Sequence, residues 1–422
     1  MKKIAKKYIT AILFILARHK LHKIKPKIIG VTGSYGKTTT KEAIFKIFER
    51  HFLTEQSQKS FNTPLGMCLT ILHQESGENS LWVWLKILLS ATKESILPSS
   101  YPKYLILEYG ADAPGNIEEL TALARPDIAV ITSVGPVHLG QGQFKNLEAI
   151  AEEKAKLLKA LPKNGLAILN NDDEKVRVMK YKGKKIFFGQ KPDSNLLAKE
   201  IKSNLDGTKA ILCHKNETKN LVSSVIGRQN ISSLLAAISV AVAEKIPLAK
   251  AIDNLKFFEL PPGRMNLLDG INFSKILDSS YNSSPQTLKS ALKTLAEIKS
   301  YEKKIAVLGQ MNELGKHSKK FHEEIGKEFV KYNFDFLITV FGDAKFIIKS
   351  AVEHGFPAEN TLACETAEEA GFFLQNIYKL NYGDLVLIKG SQNNVRLEKC
   401  VEMLLLNDLR DFKKLCRRNW VK

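Results

Sequence analysis

The apolar run Lys27-Ile-Ile-Gly-Val-Thr32 opens directly into Gly33-Ser-Tyr-Gly36-Lys37-Thr38, and this junction constrains the chain more than any other stretch. It predicts a strand, a turn carrying two glycines, and a helix beginning in Lys37-Thr-Thr-Thr-Lys41. Glycines let backbone N–H groups approach an anion, and the helix N-terminus adds a favourable dipole. In such a loop Lys37 reaches the β- and γ-phosphates of a nucleotide, and Thr38 binds Mg²⁺ through its hydroxyl. The spacing is Gly33-x-x-Gly36-Lys37-Thr38; Val31 occupies the position five before Gly36, where the strict Walker pattern has glycine.

Around this unit, short apolar runs alternate with helical patterns. Candidate strands are 27–32, 104–108, 128–133, 166–170, 275–278, 304–308, 336–341 and 385–389, and helical stretches include 147–161, 284–299 and 395–406. Alternation of this kind, with strands rich in Val, Ile and Leu, predicts an α/β fold with mostly parallel sheets. The stretch 182–221 has Gly, Asn and short strand patterns without a long helix, and reads as a small antiparallel insertion. The prolines of Leu260-Pro-Pro-Gly263 stop one helix before a fresh α/β pattern starts. The expected organisation is a basic helix over 1–26, a P-loop ATPase domain over 27–260 and a Rossmann-like C-terminal domain over 261–422.

The formal net charge is +19, and residues 1–27 contribute nine cations and no acid. No basic–aromatic stripe suited to single-stranded nucleic acid is present. Residues 8–17 are apolar but too short to span a bilayer, and no small-residue cleavage site follows. An amphipathic helix is expected, with Ile9, Ile12, Leu13 and Leu16 on one face. That face either packs on the domain with the lysines solvated, or makes weak contact with anionic membrane. Packing is favoured because it needs no extra partner. The cysteines Cys68, Cys213, Cys364, Cys400 and Cys416 form no C-x-x-C pair, which fits reduced cytoplasmic thiols better than zinc or disulfides.

Three further residues stand out by position. Glu108 ends the buried-strand pattern Leu105-Ile-Leu, where an α/β sheet places its site; alone it is equally an ordinary strand-end acid. His138 follows a strand and a Gly-Pro turn, a place where polar surface is the usual role. Lys154 lies among Glu152, Glu153 and Lys156, and by pattern is a solvated charge.

Together the motifs resemble the Mur ligase family. The resemblance runs from about Pro26 onward through Thr32–Lys41, Phe61-Asn-Thr-Pro-Leu-Gly66, Glu108-Tyr-Gly-Ala111, Gly135-Pro-Val-His-Leu139, Asn170-Asn-Asp-Asp173, Gly227-Arg-Gln-Asn230, Pro262-Gly-Arg264, Asp278-Ser-Ser-Tyr-Asn282, Leu308–Gly315 and Lys389-Gly-Ser391. The trailing Thr-Thr-Lys is similar to the type that adds D-alanyl-D-alanine to a UDP-muramoyl-peptide. The resemblance implies an ATP- and Mg²⁺-dependent cytoplasmic ligase, monomeric and without nucleic-acid partners, that works through an acyl phosphate. It implies nucleotide contacts from Gly33, Ser34, Gly36, Lys37, Thr38 and Thr39. Thr38 and Glu108 hold one Mg²⁺, and His138 helps hold a second. Lys154 matches a lysine carbamylated by CO₂ into a metal ligand. Asn170 and Asn230 match nucleotide contacts, and Arg264 and Asp278 match phosphate and ribose contacts that arrive when the C-terminal domain closes.

The sequence departs from the family pattern at Ser233, where Asn is usual, at Ser279, where a second Asp is usual, and at Gln392, where Arg is common. About 26 residues precede the nucleotide strand, where the family carries a domain gripping the UDP moiety. A related two-domain ligase such as folylpolyglutamate synthetase is the alternative, although its loop tends to read Gly-Lys-Gly-Ser. A non-catalytic nucleotide-binding partner is the third reading, opposed by the joint presence of Lys37, Thr38, Glu108, His138 and Lys154. No arginine-finger or membrane module points to a transport or motor ATPase.

Overall fold

The computed structural model of the protein describes residues 3–57, 61–77, 80–299, 301–406, 411, 414 and 415. Cys416 and Lys2 of the basic arm lie outside these residues. Among the described residues the cysteines are free, and no helix is long and apolar enough to cross a membrane.

The chain begins with helix α1 (Lys3–Ile24), and then builds a nine-stranded sheet. Its strands are β1 (Lys27–Thr32), β2 (Thr54–Gln56), β3 (Tyr104–Glu108), β4 (Ile128–Ile131), β5 (Leu166–Asn170), β6 (Lys184–Gly189), β7 (Leu196–Asn204), β8 (Gly207–His214) and β9 (Glu217–Ser223). Their spatial order is β2-β3-β1-β4-β5-β6-β7-β8-β9. Pairing is parallel from β2 through β7 and antiparallel for β7–β8–β9. The stretch expected as a small antiparallel insertion does hold antiparallel pairs, β7–β8 and β8–β9, but they extend the main sheet. β6 aligns alongside β5, and only the last two strands turn back, because the short turns at 205–206 and 215–216 leave no room for a crossover helix.

Helices α2 (Lys37–Phe48), α3 (Pro64–Ile71), α4 (Leu81–Ile96), α5 (Asn116–Leu123), α6 (Leu147–Lys159), α7 (Glu174–Arg177), α8 (Arg228–Ala243) and α9 (Leu248–Asn254) accompany this sheet. Since β1 lies between β3 and β4, the chain leaves β1 at a topological switch point, and the crevice there opens at the strands' carboxyl ends. Every strand in this centre is buried on both faces, which explains the uninterrupted apolar runs.

A six-stranded sheet follows, with β10 (Asn266–Asp269), β11 (Lys275–Ser279), β12 (Lys303–Gly309), β13 (Phe336–Val340), β14 (Thr361–Cys364) and β15 (Asp384–Lys389) in the order β10-β11-β15-β12-β13-β14. Only β10–β11 is antiparallel. Helices α10 (Pro285–Glu297), α11 (Ser318–Phe329), α12 (Lys345–Glu353), α13 (Ala367–Phe372) and α14 (Glu398–Leu404) cover it. One continuous apolar cluster includes Leu234 and Leu235 of α8 together with Leu288 and Leu292 of α10, so the two sheets share buried surface on that side. The Thr294 hydroxyl donates to Gln229 Oε1 across the same contact, at 3.1 Å.

Helix α1 packs on α3 and α4. Leu13 and Ala17 are fully buried, whereas Ile12 is exposed. Ile9 and Leu16 pack against the same cluster, so three of the four expected residues face the core, and the fully buried stripe runs Leu13–Ala17–Lys20. Lys20, expected in solvent with the other basic residues, is fully buried and pairs with Glu94 at 2.7 Å. Removing one partner of such a pair leaves the other charge desolvated. Glu94→Ala is expected to lower the unfolding free energy by roughly 3 kcal/mol, read as an earlier urea midpoint. An unchanged midpoint removes the pair as a structural anchor.

Candidate active site

The loop after β1 is shaped by two glycines. Gly33 has φ +154°, and a Cβ there would lie 1.9 Å from Thr132 Oγ1, so β1 and β4 approach too closely for any side chain. Gly36 has φ +79° and caps α2 in the left-handed region that glycine adopts without strain. Ser34 fastens the loop to the β4 side, donating to Gly135 O at 3.1 Å and accepting from Gly135 N at 2.9 Å. Thr39 is buried on α2. The Lys37 ammonium donates to Gly33 O at 2.8 Å. Burial holds Lys37 below its ordinary range, and the carboxylates of Glu108, Asp112 and Glu313 oppose that shift while Arg264 adds to it. Charged groups from both sheets therefore converge on this one amine.

Beside it stands a cluster of hard oxygen and amide groups. The Thr38 hydroxyl donates to Glu108 Oε2 at 3.0 Å, and Asn62 Nδ2 donates to Glu108 Oε1 at 3.3 Å. Glu108 is buried at the carboxyl end of β3. Among the described residues, no group of three or more His, Cys, Asp or Glu is arranged to hold a metal. One carboxylate and one hydroxyl suit Mg²⁺, which keeps waters and takes the rest of its shell from phosphate rather than from a protein cage.

His138 has φ +55°, in the left-handed region that few residues other than glycine adopt. Its Nδ1 lies 2.7 Å from Glu313 Oε2 and its Nε2 lies 3.3 Å from Asp112 Oδ1. The His138 hydrogen bond holds the Glu313 carboxyl below its usual range. Lys154, read by pattern as solvated, is fully buried on α6. Burial, then the positive charge of Lys37, push it down to about 7, with Asp112 and Glu153 opposing. The pattern misled because Glu153 does not face solvent: its carboxylate accepts from Gly115 N at 3.0 Å and Ile117 N at 2.8 Å at the start of α5. Lys154 is thereby turned inward.

From the second sheet, Arg264 reaches across to the loop, donating to Thr38 Oγ1 at 3.1 Å with its guanidinium 4.3 Å from the centre of the Tyr281 ring. Asn266 braces it by accepting from Arg264 N at 2.9 Å. In the conformation described, this arginine lies against the loop. Asp278 sits on β11 beside β15 and accepts from Ser280 N at 2.9 Å rather than reaching the loop. It is fully buried and raised to about 6, mainly by desolvation, with the hydrogen bonds from Ser280 opposing most and the charge of Lys389 least. Lys389 is itself pushed down to about 7 by burial and by Arg264, and donates to Asn282 O at 2.8 Å. Asn170 donates to Thr132 O at 2.8 Å and to Ser232 Oγ at 3.3 Å, which ties the end of β5 to α8. The Asn230 amide is engaged locally with Ile226 O at 2.8 Å.

Asn62, Asp112, Glu313 and Lys389 were not singled out by sequence. Asn62, Glu313 and Lys389 lie inside the motif strings, and Asp112 directly follows one. Their neighbourhood carried the signal while their individual roles did not. A hydrogen bond to a charged group contributes about 1.5–3 kcal/mol. Arg264→Ala is accordingly expected to lower kcat/KM for ATP by about 10- to 100-fold with little change in melting temperature. Unaltered kinetics would place Arg264 outside the reaction.

Residues 31–241 match the Mur ligase middle domain, half of the 422 residues, and residues 263–392 match the Mur ligase glutamate ligase domain. The chain is 27% identical over 394 residues to a UDP-N-acetylmuramoyl-tripeptide–D-alanyl-D-alanine ligase of Bacillus subtilis, covering 93% of this chain and 79% of that protein. It is similar to the crystal structure of MurF ligase from Thermotoga maritima in complex with ADP, at 26% identity and a TM-score of 0.77, covering 93% of this chain and 83% of that one. Folylpolyglutamate synthase of Mycobacterium tuberculosis shares the fold at 14% identity and a TM-score of 0.64, covering 91% of this chain and 92% of that one. With both domain models matched in order along one continuous fold, the chain belongs to the Mur ligase family.

Proposed function

We propose that this chain is an ATP-dependent, Mg²⁺-requiring amide-bond ligase that adds D-alanyl-D-alanine to a UDP-N-acetylmuramoyl-peptide in the cytoplasm. The observation that carries the reading is the convergence on Lys37 of Thr38 and Glu108 from the first sheet with Arg264 and Glu313 from the second. The activity named for the Bacillus subtilis relative supports the choice of substrates.

In this reading residues 27–260 hold the nucleotide and residues 261–422 close over it, as one monomer. The substrate carboxylate attacks the γ-phosphorus of ATP, the bond to the β-γ bridging oxygen breaks, and ADP leaves. The amine of the dipeptide then attacks the activated carbonyl. Inorganic phosphate departs, and the amine gives up a proton. Bringing a carboxylate against a triphosphate is opposed by like charge, so the cations of Lys37 and Arg264 lower the barrier most where charge accumulates. Thr38 and Glu108 would hold Mg²⁺, which when bound would supply positive charge to the phosphate oxygens. Asn62 fixes the free carboxylate oxygen of Glu108, so the ligand does not rotate. His138 joins Asp112 to Glu313 and sets the distance between the two halves. Fixing both reactants in one closed crevice supplies much of the remaining acceleration.

The test is phosphate release from ATP across a panel of UDP-muramoyl-peptides and dipeptides, with folate and glutamate as counter-candidates. Release that requires both a UDP-muramoyl-tripeptide and D-alanyl-D-alanine is expected. Release driven by folate with glutamate would move the chain to the alternative ligase, and silence across the panel would overturn ligation.

A further inference from the structure

The apolar surface of the first sheet's flank is larger than the basic arm suggested. Helix α4 begins Leu81-Trp-Val-Trp-Leu and is capped by Ser80, whose hydroxyl accepts from Val83 N. Trp84 and Ile87 face inward, but Trp82 is 76% exposed and Leu89 67%, with Leu85 and Ile96 also in solvent. Their spacing of three, four and seven residues places them on one helical face. Helix α1 beside it turns Tyr8, Ile12 and Ile15 outward, Ile15 being 68% exposed. The two helices form one platform. Lys20 pairs with Glu94, and Ser95 bonds both the His19 ring at 2.9 Å and Leu16 O at 2.9 Å.

Charge on this platform has one sign. Lys6, Lys7, Arg18, Lys23, Lys86 and Lys93 surround the apolar stripes. The single acid on either helix is Glu94, which is turned in upon Lys20. A second copy of the chain would set cations against cations. A nucleic acid would leave the tryptophan and leucines without apolar company. An anionic bilayer satisfies both halves at once, since headgroups meet the lysines while Trp82, Leu85 and Leu89 enter the acyl boundary. Neither helix can cross the bilayer, so contact is confined to the surface.

We propose that α1 and α4 together form a peripheral docking surface for anionic membrane. This surface includes the basic helix but draws its apolar half mainly from α4, and it stands independently of the substrate assignment. It holds the catalytic crevice at the lipid surface without using any residue of that crevice.

Full-length protein is sedimented with vesicles of equal parts phosphatidylglycerol and phosphatidylcholine, and with pure phosphatidylcholine. Binding is expected to be roughly tenfold stronger to the anionic vesicles and to fall as salt shortens the Debye length below about 10 Å. Tryptophan emission is expected to shift to the blue on binding, and Trp82→Phe to lose most of that shift. The double variant Leu85→Glu/Leu89→Glu is expected to lose binding by about tenfold or more while keeping its melting temperature and ATP turnover. Four results overturn the proposal: protein left in the supernatant at low salt, equal binding to neutral vesicles, undiminished binding by the double variant, or a solution dimer that the double variant dissociates. The last identifies the platform as a contact between copies.

Discussion

Lys37→Ala and Glu108→Ala are each expected to reduce acceptor-dependent phosphate release by at least about a thousandfold, with the folded state intact by circular dichroism. Lys37 is the amine on which Glu108, Asp112, Glu313 and Arg264 all bear. Losing it removes positive charge where negative charge builds up. Glu108 links Thr38 and Asn62 in one oxygen cluster, and losing it removes the only carboxylate in direct contact with the Thr38 hydroxyl among the described contacts. Because Glu108 is buried, its alanine variant also opens a small cavity. Glu108→Gln keeps the shape and deletes the charge, so a comparable loss in that variant assigns the effect to electrostatics. Turnover near the wild-type value in any of the three would dissolve the proposed site.

Lys154→Ala is expected to be inactive and to recover partially when short carboxylic acids such as acetate are supplied. Burial and the charge of Lys37 favour the neutral amine of Lys154, and the neutral amine is the form that adds CO₂. The product is a carboxylate-like group on a long arm. A small free acid can enter the vacated space and present the same oxygens. Lys154→Arg keeps a cation and fills the space, so it is expected to be inactive and beyond rescue. Full activity of Lys154→Ala, or rescue of the arginine variant to the same degree, would reduce Lys154 to a packing residue.

The central strands were legible because the chain's centre is buried on both faces: residues 28–31, 104–107 and 166–169 form unbroken runs without a charge, while the edge strands β2 and β10 each include an acid and β14 buries only its last residue. The loop glycines were legible because close backbone approach admits no other residue. Orientation was harder to read. Lys154 and Lys20 both sit in stretches that look like solvated charge, yet each is turned inward by a contact far away in sequence, through Glu153 with α5 and through Glu94 of α4. Helix α4 went unread because its apolar residues run all round the helix and give no clean period. Exposed Trp82 and buried Trp84 look alike in sequence, and the tertiary neighbour decides between them. The roles of Asp112, Glu313 and Lys389 depend on how two sheets meet, which local patterning does not encode.

That meeting has an asymmetry with a mechanical consequence. On one side α8 and α10 share a dry apolar seam. On the other, the recorded bonds are polar: His138 with Glu313, Leu139 N with Glu313 O at 2.9 Å, and Arg264 with Thr38. Apolar burial scales with the area removed from water, whereas a partly exposed polar contact contributes little because water offers the same partners. The two sheets thus meet through apolar packing on one side and through a few polar contacts on the other. Any separation of the two sheets at the crevice has only these polar contacts to break, whereas separation at the α8–α10 side would expose apolar surface to water.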